Sequence, residues 1–376
     1  MNARKGMKLR MIQHKEHFHG SDLEKIEKVY GIRREEIVSF SANVNPLGIC
    51  PRMKEALSSH LDVVTSYPDR EYTALRQAIA SYCGTDASYV MVGNGSTELI
   101  SLFIKSRHPR QALILAPTYS EYEREIGLSG GTCHYFTLHA DNGFALNIDA
   151  LTEELTAKQI DLLILCNPNN PTSTALTKEV MESILAYAQS HGIGVIVDET
   201  YCEFTPDVEA YSAISLVPSY SCLVVLRGVS KFFASPGLRL GYAVTSDEGL
   251  LSYIREHKDP WTINSLADLA GQVMFTDTEY IQGVRSLIQT ERTRVCERLR
   301  AIPGLTVFEP YANFVLLRID RPARNAAQLF DAAIRQKMMI RDCSTFPGLT
   351  EQYFRLCFML PEDNDRLLTL IEEFFA

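Results

Sequence analysis

The sequence predicts an α/β fold, with a large, doubly wound, mostly parallel sheet domain followed by a smaller α+β domain. Short apolar runs alternate with longer segments of helical period through the middle of the chain, and a long charged helical pattern follows them. Strands that are apolar throughout and separated by helices are typical of a parallel sheet covered on both faces. We therefore expect a large domain over residues 50–255, a small C-terminal domain over 256–376, and an N-terminal arm, 1–49, that forms part of the small domain.

The individual elements follow from the spacing of the apolar residues. The candidate strands of the large domain are Ala112–Leu115, Thr132–Thr137, Asp161–Cys166, Gly192–Asp198, Cys222–Arg227 and Arg239–Val244. Thr177–His191 has apolar residues at helical spacing, which predicts a helix between two of these strands. The small domain is expected to contain, in order, a helix over Asp277–Leu299, apolar segments at Leu305–Glu309 and Ala312–Ile319, a helix near Ala326–Gln336 and a closing helix over Asp363–Phe374.

Composition narrows the class of function. The formal net charge of −9 at pH 7 argues against nucleic acid as the main partner, because phosphate backbones favour basic surfaces. Nine cysteines without a C-x-x-C pair are typical of reduced thiols in a cytoplasmic protein. No apolar run approaches the roughly 18 residues of a membrane span, and the His17-Phe-His19 pair lacks further ligands at metal-binding spacing. These features predict a cytoplasmic protein that acts on a small molecule, without a metal or a membrane.

Polar residues follow three of the predicted strands, at the point where each strand ends. Asn167 comes after the first, Asp198 and Tyr201 after the second, and Ser230 and Lys231 after the third. Ligands bind beyond the carboxyl ends of parallel strands, so we expect these residues in one site. A lysine amine can form a Schiff base with an aldehyde, and a buried carboxylate can pair with a pyridinium nitrogen. Asn167 and Tyr201 can donate to a phenolic oxygen on the same ring. This chemistry predicts pyridoxal 5'-phosphate as the cofactor.

A phosphate site is predicted in the segment Gly93-Asn-Gly-Ser-Thr-Glu98, which precedes an apolar helical run. Gly95, Ser96 and Thr97 would offer backbone N–H groups and hydroxyls to an anion at a helix N-terminus. Ser230 and Arg239 are further candidates for the same phosphate. Taken alone, Gly-Asn-Gly-Ser is explained as well by a helix N-cap, and Asn-Pro-Asn-Asn-Pro by a turn. Their order along the chain, each at the end of a strand, favours a cofactor site.

Three motifs in this order carry a resemblance to a known family: Asn167-Pro-Asn-Asn-Pro, Val197-Asp-Glu-Thr-Tyr201 and Ser230-Lys…Gly-Leu-Arg239-Leu-Gly-Tyr. The chain resembles the fold-type-I pyridoxal-phosphate enzymes of the class I/II aminotransferase superfamily from about Phe40 to its C-terminus. The resemblance implies the type I transferase fold, with the cofactor held on Lys231 and Tyr119 stacked on its ring. It also implies a homodimer in which Tyr67 reaches the cofactor phosphate of the neighbouring subunit, and it assigns the substrate carboxylate to Arg355.

Three further segments narrow the resemblance: His19-Gly, Ser41-Ala-Asn-Val-Asn-Pro-Leu-Gly48 and Ile340-Arg-Asp-Cys-Ser-Thr-Phe-Pro-Gly-Leu349. They look like the threonine-phosphate decarboxylases of cobalamin synthesis, a branch similar to the histidinol-phosphate aminotransferases. The resemblance implies substrate contacts from His19, Asn43, Arg341 and Arg355. Ser21 after His19-Gly20, Ser173 after Thr172, and Met359 in place of a further arginine depart from the pattern.

The expected reaction is therefore the decarboxylation of a phosphorylated amino acid, O-phospho-L-threonine to aminopropanol phosphate. The alternative is an aminotransferase of the histidinol-phosphate type, since both reactions use the same cofactor and lysine. A non-catalytic, ligand-sensing relative is a third class. The complete set of Lys231, Asp198 and Asn167 disfavours it.

Overall fold

The protein is described here from a computed structural model, which covers residues 22–376. In this part of the chain the helices are α1 (Leu23–Tyr30), α2 (Pro51–Ser59), α3 (Thr73–Cys83), α4 (Ser96–Arg107), α5 (Glu121–Leu128), α6 (Ile148–Ala157), α7 (Lys178–Ser190), α8 (Val208–Tyr211), α9 (Glu248–His257), α10 (Ser265–Met274), α11 (Thr278–Arg300), α12 (Ala326–Arg335) and α13 (Pro361–Phe375). The strands are β1 (Val38–Ser39), β2 (Val90–Gly93), β3 (Gln111–Ala116), β4 (Thr132–Thr137), β5 (Leu162–Cys166), β6 (Gly194–Asp198), β7 (Leu223–Gly228), β8 (Gly241–Val244), β9 (Leu305–Val307), β10 (Phe314–Ile319), β11 (Met338–Met339), β12 (Arg341–Asp342) and β13 (Tyr353–Cys357).

The large sheet has seven strands in the order β2-β8-β7-β6-β5-β3-β4. The strands are parallel except β8, which runs antiparallel to both of its neighbours. The central strands are buried at every position because both faces of the sheet are covered. Successive side chains of a strand point to opposite faces, so Leu163 and Leu165 pack in one core and Leu162 and Ile164 in the other. The predicted α/β class with a mostly parallel sheet is confirmed.

The predicted strands of this sheet all appear, each within two residues of its expected bounds. Strand β2 was not predicted; it is four residues long and pairs only with β8. A strand of that length shows no usable period, and its last residue is the glycine that begins the predicted phosphate segment. The part of the site that follows β2 was nonetheless found, because its signal is glycine and hydroxyl composition.

The second sheet contains β12-β13-β10-β9, all antiparallel. Helix α11 packs against β9 and helix α12 against β12, and helix α13 packs against both helices. β1 from the N-terminal arm pairs with β11, which joins the arm to this C-terminal part. Helix α10, by contrast, packs against α2 and α3 although the sequence analysis assigned it to the small domain. The division at residue 255 remains a prediction.

Residues 40–45, the crossing segment, bond to the loop that follows β7 and to β13 of the second sheet. The Asn45 amide and side chain donate to the carbonyls of Lys231 and Phe232, at 3.0 and 2.8 Å. On the other side, the Cys357 amide donates to the Phe40 carbonyl at 2.9 Å.

Among residues 22–376, no helix combines the length and apolar character needed to span a membrane.

A buried carboxylate lies behind the end of β6. Glu203 is 1% exposed, and it accepts a hydrogen bond from the Tyr82 hydroxyl at 3.2 Å. Its other oxygen, Oε2, has no hydrogen-bond partner in the described part of the chain. Burial raises the pKa of Glu203 from 4.5 to about 7, although Arg227 and Tyr82 oppose the shift. The folded protein therefore holds a proton here that the unfolded chain has already lost between these two pH values.

Replacing Glu203 with glutamine is expected to flatten the dependence of stability on pH. Folded and unfolded states bind different numbers of protons between pH 4.5 and about 7, so wild-type stability falls as pH rises through this interval. The full loss amounts to about 3 kcal/mol. Glu203→Gln has no proton to lose, and thermal unfolding measured from pH 5 to 8 should show the smaller slope. If Glu203→Gln kept the wild-type slope, another group would be responsible for the dependence of stability on pH.

Candidate active site

A cavity of about 490 Å³ lies beyond the carboxyl ends of β5, β6 and β7. Its size is within the range of small-molecule sites. The wall includes these sequence-predicted residues: Ser96, Thr97, Tyr119, Asp198, Tyr201, Ser230, Lys231, Arg239, Arg341 and Arg355. The large sheet and helix α4 supply one side, while the second sheet and the crossing segment supply the other. The topology thus brings together residues that are far apart in the chain.

Lys231 follows β7 and lies largely inside the protein. Its Nζ donates to the Ala42 carbonyl of the crossing segment at 2.6 Å. Burial, and to a lesser extent the charge of Arg355, lower the pKa of Lys231 to about 8. A lysine with a lowered pKa is neutral more often near pH 7, and the neutral amine is the nucleophilic and basic form.

Asp198 is the last residue of β6 and is 4% exposed. Its Oδ2 accepts a hydrogen bond from the Tyr122 hydroxyl at 2.7 Å. Its Oδ1 accepts from the Thr200 amide at 2.9 Å and from the Thr200 hydroxyl at 2.6 Å. Burial raises the pKa of Asp198, while these hydrogen bonds lower it, and no cation of the described chain is among the groups that shift it. The carboxylate is thus buried beside a cavity and is ready for a cationic ligand.

The N-terminus of α4 forms a cradle whose shape suits an anion. Gly95 precedes the helix with φ of 80°, and a Cβ there would collide with the Arg239 guanidinium. A Cβ on Gly241 would lie 2.5 Å from the Ser96 amide nitrogen. The first N–H groups of a helix have no partner within it and bind anions readily. Glycines at these two positions therefore let the backbone, the Ser96 hydroxyl and Arg239 converge on one space.

Arg341 and Arg355 lie opposite each other on neighbouring strands and are 7% and 5% exposed. Arg355 donates to the Ser41 carbonyl at 2.8 Å and bonds to the Asn170 side-chain oxygen, and its Nε has no partner in residues 22–376. Arg341 donates to the Thr345 hydroxyl at 3.3 Å. Burial lowers the pKa of Arg341, and the charge of Arg355 also lowers it. These hydrogen bonds all go to neutral acceptors, so two buried positive charges face the cavity together.

The prediction for Asn167 needs correction. Its side-chain amide donates to the carbonyls of Leu176 and Tyr211 at 3.0 and 2.9 Å, and its oxygen accepts from the Leu176 amide at 2.8 Å. These bonds hold the loop after β5 and use both donors, so Asn167 has no hydrogen to give to a ring in the cavity. Asn170, in the same motif, is the asparagine on the cavity wall. From the repeated asparagines alone, the sequence does not show which side chain faces the cavity.

Other predicted residues lie off the wall. Asn43 is buried behind it, and its side chain donates to the Tyr201 hydroxyl at 3.4 Å. Tyr67 is 81% exposed, with its ring 4.7 Å from that of Trp261. Gly95 contributes through its backbone as part of the cradle. His19 lies outside the described residues.

Tyr122, Thr200 and Asn170 line the cavity but were not predicted as site residues. Asn170 and Thr200 belong to motifs quoted above, and Tyr122 is close in sequence to the predicted Tyr119. Tyr122 lies three residues after Tyr119, a spacing that puts two side chains on one face when a helix begins there. Thr200 lies two residues after Asp198, where a backbone amide commonly bonds an Asp side chain. Both signals were available in the sequence.

The residues of this cavity fit pyridoxal phosphate. A partly buried lysine amine faces the same space as a buried carboxylate that lacks a cationic partner in the described chain. Tyr119 supplies an aromatic ring on the wall, and the α4 cradle supplies donors for a phosphate. An aldehyde, a basic ring nitrogen and a phosphate are the three groups that such a set complements.

Comparison with known proteins agrees with this chemistry. The family described as aminotransferase class I and II matches residues 35–371. The chain is 35% identical over 353 residues to the threonine-phosphate decarboxylase of Salmonella typhimurium, covering 94% of this chain and 95% of that protein. It is 30% identical over 367 residues to the histidinol-phosphate aminotransferase of Methanothermobacter thermautotrophicus, covering 94% and 93%.

A solved structure shows the same relationship. The histidinol-phosphate aminotransferase of Clostridium acetobutylicum matches with a TM-score of 0.82 and 30% identity, over 89% of this chain and 98% of that one. Since the family match extends over nearly the whole chain, from the crossing segment to the closing helix, the protein belongs to the class I and II aminotransferase family and is a pyridoxal-phosphate-dependent enzyme.

Proposed function

We propose that the enzyme decarboxylates a phosphorylated amino acid, with O-phospho-L-threonine as its substrate. The observation that carries the proposal is the facing pair of buried arginines, Arg341 and Arg355, which bond to neutral acceptors within the described chain. A phosphorylated amino acid has two anionic ends, a carboxylate and a phosphate monoester, and arginine binds both in a bidentate manner. The similarity to the threonine-phosphate decarboxylase of Salmonella typhimurium supports this choice.

The aminotransferase of the histidinol-phosphate type is the second candidate. It is favoured by the likeness to enzymes of that name in sequence and in structure. Histidinol phosphate carries a phosphate but no carboxylate, so one of the two buried arginines would have no anionic group of the substrate to bind. A dicarboxylic amino donor, in contrast, has two carboxylates and would occupy both arginines. The arginine pair therefore favours the decarboxylase without removing the alternative.

Each residue then has a defined task. Arg355 and Arg341 hold the anionic ends of the substrate, and Asp198 supplies a negative charge at the other side of the cavity. Bound pyridoxal phosphate provides the electron sink that allows a bond to the α-carbon to break. The Lys231 amine is the acid or base at the reacting carbon, a role suited to a group with a pKa of about 8.

We also propose a homodimer in the cytoplasm. Tyr67 and Trp261 are exposed with their rings 4.7 Å apart, and Leu61 and Val64, a few residues before Tyr67, are exposed as well. The Arg70 guanidinium lies 5.1 Å from the Trp261 ring centroid, so this surface combines aromatic and cationic groups. Aromatic residues and arginine are enriched at protein interfaces.

The function is tested by mixing cofactor-loaded protein with O-phospho-L-threonine in the absence of any oxo acid. The expected products, identified by mass spectrometry, are carbon dioxide and 1-aminopropan-2-yl phosphate. L-threonine is the matched control substrate, and it should react far more slowly because it leaves the buried arginines without one anion.

The alternative has its own signature. Histidinol phosphate with 2-oxoglutarate would give glutamate and an oxo compound if the enzyme is an aminotransferase. Turnover of O-phospho-L-threonine only when 2-oxoglutarate is present, with no release of carbon dioxide, would refute the decarboxylase.

A further inference from the structure

The Asp198 carboxylate has one acceptor position left, on the oxygen that Tyr122 binds. A carboxylate oxygen can accept about two hydrogen bonds. Oδ1 already accepts two from Thr200, through its amide and its hydroxyl. Oδ2 accepts one, from the Tyr122 hydroxyl at 2.7 Å. A ring nitrogen that donates to Asp198 must therefore share Oδ2 with Tyr122.

Tyr122 is a permanent donor in this position. Its side chain is fully buried, and burial raises its pKa well above 10.0, with the charge of Asp198 raising it further. The hydroxyl thus remains protonated throughout the working range of an enzyme. The ring packs edge-on against Tyr119, at 5.6 Å between centroids and 82° between planes, which fixes the direction of the hydroxyl.

The Tyr122 hydroxyl also opposes the effect of burial on Asp198. Burial raises the pKa of the carboxyl, whereas the hydrogen bonds from Thr200 and Tyr122 lower it. A donor to the charged form of a group favours that form. Only an ionised Asp198 can accept a hydrogen bond from a protonated ring nitrogen. Loss of the Tyr122 hydroxyl therefore narrows the pH range in which Asp198 can bind the cofactor ring in this way.

We propose that Tyr122 is a positioning residue that acts through Asp198. Its hydrogen bond keeps the carboxylate ionised and orients Oδ2, and thereby sets the acidic limit of activity. The inference depends on the cofactor and on Asp198, and it holds for a decarboxylase or for an aminotransferase. Its test is therefore separate from the test of substrate and reaction.

The experiment uses Tyr122→Phe as cofactor-loaded enzyme, because phenylalanine keeps the ring and removes the hydroxyl. Without this donor the pKa of Asp198 rises, so the acidic limb of kcat/KM is expected to move to higher pH by about one unit, a tenfold change in proton affinity. The visible absorption of the bound cofactor, titrated without substrate, should move in the same direction. Tyr122→Leu also lacks the hydroxyl and should show the same shift, so the test does not depend on a single variant folding.

Tyr82→Phe is the matched control. It removes another buried tyrosine hydroxyl that bonds to a buried carboxylate, that of Glu203, away from the cavity wall. Its acidic limb and absorption titration should coincide with those of the wild type. Coincident titrations for the wild type and both Tyr122 variants would overturn the proposal, and so would an equal shift in Tyr82→Phe.

Discussion

Replacing Lys231 with alanine is expected to lower kcat by about 10⁴-fold or more, because covalent attachment and proton transfer both depend on this amine. The fold should survive. The Lys231 Nζ bonds to the Ala42 carbonyl, and burial disfavours its charged form, so the side chain adds little to stability. The α4 cradle and Asp198 are unchanged, so the variant should still bind pyridoxal phosphate, but without covalent attachment.

Lys258→Ala is a matched control for this prediction. Burial lowers the pKa of Lys258 as it does that of Lys231, and its Nζ bonds to the Val92 carbonyl, away from the cavity wall. Reduction with borohydride followed by mass spectrometry should find cofactor fixed to the wild type and to Lys258→Ala, and not to Lys231→Ala. Retained turnover in Lys231→Ala would show that another lysine carries the cofactor.

Replacing Arg355 with glutamine is expected to raise KM for the substrate about 100-fold, the cost of a lost charge-assisted, bidentate contact. The stability of the folded protein, unlike substrate binding, is not expected to fall. Arg355 lies opposite Arg341 in the same buried space, and its Nε has no partner in residues 22–376. Removing one of two facing cations relieves repulsion, so the Tm of the cofactor-free protein is expected to stay the same or to rise by about 2 °C.

Arg318→Gln provides the comparison. Arg318 lies on β10 of the same sheet and forms a partly exposed ion pair with Asp320 at 2.6 Å. Its removal should leave KM unchanged and lower stability slightly, as expected for a surface pair. A large fall in Tm for Arg355→Gln, with KM near the wild-type value, would show that Arg355 serves the fold and not the substrate.

The sequence predicted well those features that depend on local pattern. The strands of the large sheet were found because buried parallel strands are apolar throughout, and Asp198 and Lys231 were found because they follow such strands. Asn167 shows the limit of this method. Which asparagine of Asn167-Pro-Asn-Asn-Pro faces the cavity depends on the path of the loop, and the structure places Asn170 there.

The partnership of Tyr122 with Asp198 could not be read from the chain because the two residues are 76 positions apart. Hydrogen bonds of this kind depend on how a helix packs on a sheet, which residue spacing does not encode. The facing arginines are a similar case, since their register depends on the pairing of two short strands. Long-range geometry therefore decided which members of each motif reach the cavity.

The crossing segment has a consequence for how the enzyme responds to its substrate. Ser41 accepts a hydrogen bond from Arg355, and the adjacent Ala42 accepts one from Lys231, at 2.8 and 2.6 Å. We expect an anion that draws Arg355 toward it to pull on the Ser41 carbonyl and so on the adjoining peptide unit, whose Ala42 carbonyl binds Lys231. Substrate capture and the position of the lysine amine are then expected to depend on the same short stretch of backbone. Replacing either side chain removes its own hydrogen bond, whereas the two carbonyls that accept these bonds remain in every variant.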